Sequence, residues 1–240
     1  MEYIQSKPWV PPLLTGRLKS FLYKNGRIMT YKKGAVIVNE DDYLDDVFIV
    51  KSGILSNSIM HHALNKSVTM CGIRFAGHIS GYATFTLREP APVRIMALSK
   101  TTISRVSFAQ LDQYLDSQPD LKTEFYRHCA RSLRSDADAL LAMATATTEE
   151  RFWVLTASIF STLDIIKEGQ EWIEVPFKLS RESVGALLYV SVMTIDRLYA
   201  GMVKGGVMRR NDRNIYELKV SAIKEGMHWV AARHIAGRGC

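Results

Sequence analysis

Cysteine is scarce in this chain: Cys71, Cys129 and Cys240 are the only three in 240 residues. Odd in number and far apart, they supply neither a disulfide framework nor a CxxC metal knuckle, which fits a reducing compartment. No apolar run approaches the roughly 18 residues that span a bilayer, and the opening MEYIQSKPWVPPLL lacks a basic segment followed by an apolar core. The expectation is a soluble, cytoplasmic chain with no membrane partner. Internal repeats, low-complexity tracts, a phosphate-cradling glycine loop and a Ser-His-Asp order are likewise missing. Histidines at alternate strand positions, as a cupin-like metalloenzyme would need, are absent too: His61 and His62 are adjacent and point to opposite faces if extended. No enzyme, metal or cofactor is expected.

What the chain does have is length for two domains and a positive balance, +7 with a pI near 9.3. The charge is concentrated. Between Lys178 and Lys219 stand eight Lys or Arg against four acids, an excess suited to a polyanion. The same stretch contains SRESVGALLYVSVMTIDRLYAGM, two short helical patterns that meet near Tyr189 and Val190. Ser180 is a good N-cap, and Val184, Leu187 and Leu188 fall on one helix face. The second pattern restarts at Ser191 with Ile195, Leu198 and Met202 inward, leaving Val192, Met193, Asp196, Arg197 and Tyr199 outward. That is the outline of a helix-turn-helix whose outer face suits a major groove. Trp172 to Leu179 reads as a strand and VMRRNDRNIYEL as a hairpin with its tip at Asn211 and Asp212, which together make a winged helix.

Upstream, Leu14, Leu18, Phe21 and Leu22 mark a short amphipathic helix ending at Asn25-Gly26. From Arg27 to Val106 the texture changes to short β-branched or aromatic runs: RIMTY, AVIVN, DVFIVKSG, ILSNSIM, KSVTMCGIRF, VRIMAL and TTISRVS. Many short strands with turn signals between them predict an antiparallel barrel or jelly roll. Phe108 to Tyr114 then reads as a short helix. Pro119 opens a much longer one, in which Leu121, Phe125, Cys129, Leu133, Ala137, Leu140, Leu141 and Ala144 recur at three- or four-residue spacing as a dimerisation seam. TATTEE interrupts the pattern and caps the next helix, Arg151 to Leu163. A final amphipathic helix covers Val220 to Ile235. The expected fold class is α+β, with a β-barrel sensor-like domain and dimerisation helix over 1–147 and a winged helix-turn-helix domain over 148–240.

This order of elements, with VFIVKSG (Val47 to Gly53), GHISG (Gly77 to Gly81) and the helix-turn-helix, resembles the Crp/Fnr family of bacterial transcription regulators over nearly the whole chain. The resemblance implies a homodimer that binds double-stranded DNA, contacts RNA polymerase and controls transcription in response to a metabolic or stress signal. In the cyclic-nucleotide-binding branch a Glu holds the ribose and an Arg-Ser pair the cyclic phosphate, but the matching positions are Tyr82, Ala91 and Pro92. No charge remains for the phosphate, and a proline removes a backbone donor. Arg94 lies three residues along the strand and so projects from the opposite face. Loss of cyclic-nucleotide binding is the expectation, with Cys71, His78, Tyr82 and Arg94 as candidate effector-pocket residues and the effector itself unknown. The iron-sulfur branch needs an N-terminal cysteine cluster that is not there.

The candidate DNA contacts divide by role. Arg197 can bridge guanine O6 and N7, whereas Val192 and Met193 offer apolar contact such as that with a thymine methyl. Ser180, Ser191 and Thr194 are assigned to positioning against phosphates, as are Arg209, Arg210 and Arg213 on the wing, and Arg181 is a further candidate DNA contact. Tyr189, where the family often carries glycine, predicts a wider turn. The alternative reading is a degenerate family member that dimerises and binds protein without sequence-specific DNA contact.

Overall fold

The computed structural model describes residues 7–61, 66–176 and 179–235. His62, Lys178 and Cys240 lie outside them, and of His61 only the backbone is described. The chain divides into two compact units: the first spans Pro11–Asp136, and the second is built from Ala137 onward, joined by residues 7–10.

The first unit is organised by β3 (Asp46–Ser52), whose VFIV run is buried at every position. It lies in a four-stranded antiparallel sheet with β1 (Arg27–Tyr31), β8 (Thr101–Ser107) and β6 (Ile79–Ser80), in the order β1-β8-β3-β6. The facing sheet has the order β2-β7-β4-β5, from β2 (Val36–Val38), β7 (Arg94–Ala97), β4 (Leu55–His61) and β5 (Lys66–Arg74). Alternation sends Phe48 and Val50 into the space between the sheets, where they meet Val38, Leu55, Ile95, Ala97 and Ile103. Val47 and Ile49 point the other way, into a second apolar cluster.

Helices build that second cluster. α1 (Gly16–Asn25) contributes Leu18 and Leu22, and α2 (Tyr82–Leu87) contributes Tyr82 and Phe85. α3 (Phe108–Asp116) adds Leu111 and Leu115, and starts on a capping box between Ser107 and Gln110. Phe21 of α1 stacks on Tyr114 of α3 with ring centroids 3.8 Å apart. The long helix α4 (Pro119–Thr145) closes the cluster with Leu121, Phe125 and Cys129, and Phe125 meets Phe85 edge-on at 5.4 Å.

The second unit begins at a capping box in which Thr147 and Glu150 satisfy each other's backbone, opening α5 (Thr148–Leu163). This helix is buried almost all round, as a central helix must be. α6 (Arg181–Leu188) and α7 (Val192–Lys204) follow β9 (Trp172–Glu174), and β10 (Met208–Arg210) and β11 (Tyr216–Lys219) then form a sheet of order β10-β11-β9. α8 (Val220–Ile235) returns against α5.

The α5–α8 crossing depends on a missing side chain. A Cβ placed on Gly226 would stand 2.4 Å from the Trp153 carbonyl oxygen, which is backbone and cannot swing aside. Gly226→Ala is therefore expected to destabilise the second unit by about 1–3 kcal/mol despite alanine's better helix propensity. Chemical denaturation of this variant beside wild type checks it.

Candidate nucleic-acid interface and effector pocket

The reading head is set by two serines and two backbone constraints. Ser180 Oγ accepts from the Ser183 N–H at 3.2 Å and starts α6; Ser191 Oγ accepts from the Thr194 N–H at 3.1 Å and starts α7. The two helices are bent by 101° across a three-residue break, 189–191. Tyr189 takes the left-handed conformation, φ 56°, that glycine would occupy more cheaply, so the turn is tight and the wider turn expected from its side chain is not found. Gly185 is where the turn does need glycine, because a Cβ there would lie 2.8 Å from the Val190 carbonyl oxygen.

On α7, Ile195 and Met202 are buried, while Met193 is 62% exposed and Val192 and Arg197 stand outward. The Arg197 guanidinium has the Met193 sulfur 3.4 Å away. Arg181 is held differently: its Nε pairs with Asp196 at 2.6 Å and its guanidinium lies over the Tyr199 ring. Asp196, which the sequence left outward and unassigned, thus ties the two helices together. The wing arginines are each partnered as well. Arg209 pairs with Glu217 at 2.7 Å and stacks over Trp172, Arg210 bonds the Tyr216 hydroxyl at 2.8 Å and covers its ring, and Arg213 pairs with Glu174.

Two residues of the expected dimer seam belong elsewhere. Phe125 and Cys129 are buried in the first unit's own core, because α4 turns that face towards α2 and β3. The outward face carries Leu133 (62% exposed) and Leu140 (71% exposed), with Tyr126, Ala130, Ala137 and Ala144 also on it and Leu141 at its edge. Positions 126, 130, 133, 137, 140 and 144 alternate steps of four and three, a heptad stripe.

In the first unit, His78 is fully buried and both ring nitrogens are occupied. Nδ1 accepts from the Phe75 N–H at 2.8 Å, and Nε2, carrying the proton, donates to the Pro11 carbonyl at 2.8 Å. It is a strut, with no nitrogen left for a ligand. Cys71 donates to the Asn57 carbonyl at 3.4 Å, and burial pushes its thiol up to about 11, so it is not a thiolate. Ala91 is packed in the core between the sheets, and its N–H bonds the Asp42 carbonyl, so neither the side chain nor the amide is available to a phosphate. Arg94 pairs across with Ser58, while its neighbour Ile95 faces the interior opposite Asn57, which leaves Arg94 on the other face.

The residue that the sequence reading passed over is Arg74. It stands opposite Leu55 at the end of β5, 1% exposed, within electrostatic reach of Cys71, His78, Tyr82, His128 and Asp136. Its inward direction follows from the register with Leu55, which the sequence alone does not give. Among the described residues no group of three or more His, Cys, Asp or Glu could hold a metal, and no single helix is long and apolar enough to cross a membrane.

A two-sheet barrel unit, a long helix and a winged helix-turn-helix are an arrangement that known transcription regulators share. Similarity to known proteins agrees with this arrangement. A cyclic nucleotide-binding domain model matches residues 28–118. The transcriptional activator protein Anr of Pseudomonas aeruginosa is 24% identical over 82% of this chain and 78% of its own length. The fumarate and nitrate reduction regulatory protein of Salmonella typhi is 23% identical over 74% and 69%. Among solved structures, FixK2 from Bradyrhizobium japonicum superposes with a TM-score of 0.67 at 17% identity, covering 80% of this chain and 92% of that one. A CooA mutant from Carboxydothermus hydrogenoformans gives 0.69 at 18%, covering 91% and 97%. These relatives and structural neighbours are of the Crp/Fnr family and are transcription regulators, not enzymes, which argues against the cupin reading.

Burial and the neighbouring Arg74 lower His78 to about 3 and, with Arg131 added, lower His128 to about 4, from an ordinary 6.5. Both are neutral in the native state and protonate in the unfolded chain below pH 6.5. Their contribution to stability is therefore complete above that pH and is lost as pH falls towards 4. Near pH 5 the slope from the pair approaches two protons, on the order of 3 kcal/mol per pH unit. His128→Gln should remove roughly half of it, as read from denaturation midpoints between pH 4 and pH 7.

Proposed function

We propose that the chain is a homodimeric, DNA-binding regulator of transcription whose sensor unit answers a signal other than cyclic AMP. The observation that supports this most is the outer face of α7, where Val192, Met193 and Arg197 stand exposed beside a wing carrying Arg209, Arg210 and Arg213. In this reading Arg197 is the base-reading group, and Val192 and Met193 contact thymine methyls. Ser180, Ser191 and Thr194 sit near phosphates, and Arg181 acts mainly by fixing α6 to α7 through Asp196. The functional boundary falls between 147 and 148, at the Thr147 cap. RNA polymerase is the further partner that this role implies, in a bacterial cytoplasm.

Dimerisation is assigned to the heptad stripe from Tyr126 to Ala144. Replacing Leu133 and Leu140 with Glu would set like charges against each other across a two-fold axis, and sedimentation should then report a monomer. An unchanged dimer would move the seam off α4.

Cyclic AMP is expected to give no saturable heat in calorimetry, since Tyr82, Ala91 and Pro92 stand where a ribose-holding Glu and a phosphate-holding Arg-Ser pair would be needed. A phosphate-dependent micromolar site would overturn this reading of the sensor.

DNA titrations separate the positive residues. Arg197→Ala should weaken binding to the true operator by roughly 1–3 kcal/mol and leave scrambled duplex nearly unaffected. Neutralising Arg209, Arg210 and Arg213 should weaken both duplexes and lower the salt slope by about one unit for each phosphate no longer neutralised. The exposed apolar pair Val192 and Met193 also suits a protein partner, and a dimer that binds no DNA at any salt would favour that function instead.

A further inference from the structure

A buried arginine needs a counter-anion, and Arg74 has no direct one among the described residues. Its Nη1 donates to the Ile73 carbonyl at 3.1 Å, an acceptor supplied by its own chain neighbour, and its buried Nε–H has no hydrogen-bond partner. Asp136 of α4 is near enough to feel the charge, yet burial still drives its carboxyl above the usual carboxylate range. The other groups around the guanidinium, Cys71, His78, Tyr82 and His128, are held in their neutral forms by burial. An uncompensated guanidinium inside a protein is costly, so its retention calls for an anion that arrives from outside.

The strand register supplies a second group. Leu55 faces Arg74 and Asn57 faces Gly72 across the β4–β5 pair, so Asn57 and Arg74 lie on one interior face, two positions apart, with no side chain from Gly72 between them. The Asn57 Oδ1 is also buried and without a partner. One unpaired donor with a positive charge and one unpaired acceptor thus share a wall of the barrel. On the facing sheet, Ser80 Oγ is unpaired as well and is directed inward, because Ser80 stands opposite the core residue Phe48.

We propose that Arg74 and Asn57 form a binding site for a small organic oxyanion that also carries an O–H or N–H donor, a hydroxy acid or a phosphate monoester. The oxyanion accepts from the Arg74 guanidinium, and the donor on the same molecule reaches Asn57 Oδ1. The α4 residue Asp136, within electrostatic reach of Arg74, borders the site, so occupation bears on that helix directly. This site lies wholly within the sensor unit and does not depend on the DNA-binding reading.

Thermal melts of the full chain test it, with glycolate, acetate and inorganic phosphate as probes against sodium chloride of equal ionic strength. Saturable stabilisation by glycolate or phosphate beyond chloride is expected, with glycolate half-saturating at lower concentration than acetate. The ranking of glycolate against phosphate separates the carboxylate source from the phosphate source. Arg74→Met should keep or raise the melting temperature in anion-poor buffer and abolish the response. Asn57→Ala should erase the advantage of glycolate over acetate while leaving the response to acetate. Two results overturn the proposal. One is a wild-type response no larger than that to chloride. The other is an Arg74→Met variant that unfolds and is rescued by adding Asp136→Asn, which would make Arg74 the structural partner of Asp136.

Discussion

The first unit depends on a strand that has no face to give to water. Val47, Phe48, Ile49 and Val50 are all buried, so the sheet carrying β3 must be covered on both sides. A second sheet covers one side. On the other side the cover must come from helices, and α1, α2, α3 and the first part of α4 supply it. The same requirement explains why Phe125 and Cys129 face the core. Burying each large apolar side chain is worth about 1.5–3 kcal/mol, and β3 offers α4 that burial before any second copy of the chain can.

This competition also explains where the sequence reading of α4 went wrong. Spacings of three and four from Leu121 to Ala144 connect two different faces when followed through Phe125, Cys129 and Leu133, because the step from 129 to 133 can be taken from either. A helix serving both a core and a partner carries two apolar stripes in overlapping periods. Periodicity alone cannot say which residue belongs to which stripe. The strands RIMTY and TTISRVS, by contrast, were legible to the residue, since polar or glycine breaks bound them, whereas β9 ends at Glu174, short of the Leu179 expected, and the two-residue β6 was too brief to be read. The short helix α2 was not legible, because Tyr82–Leu87 is too brief to show a period and is capped by Gly81 and Arg88 in left-handed conformations.

Arg74 was invisible for a related reason. In KSVTMCGIRF a terminal arginine reads as the polar end of a strand, and only the register with Leu55 turns it inward. His78 shows the reverse error: a histidine beside a glycine turn looks like a ligand, yet its two nitrogens are used to fasten Pro11 and Phe75. Chemistry-bearing residue types were therefore recognised, but which of them had spare bonding capacity was a matter of tertiary structure. That capacity separates a strut from a site.

The same criterion orders the arginines of the second unit. Arg209 is paired with Glu217, whose side chain is mostly buried, but the Arg213–Glu174 pair is exposed on both partners, and a pair of that kind is worth at most about 1 kcal/mol. In the proposed DNA-binding role, exchanging such a carboxylate for a phosphate costs little, while the release of condensed counterions from DNA favours it at low salt. Arg181 is not free in that sense, since leaving Asp196 and Tyr199 would loosen the angle between α6 and α7 on which the reading face depends. Arg197 has the Met193 thioether beside it, where Arg181 has a carboxylate, so it can approach a base edge without first breaking an ion pair. Under the proposed function, preparation on this surface thus consists in which cations are committed to holding the helices, which are lent to acidic neighbours, and which is left to read.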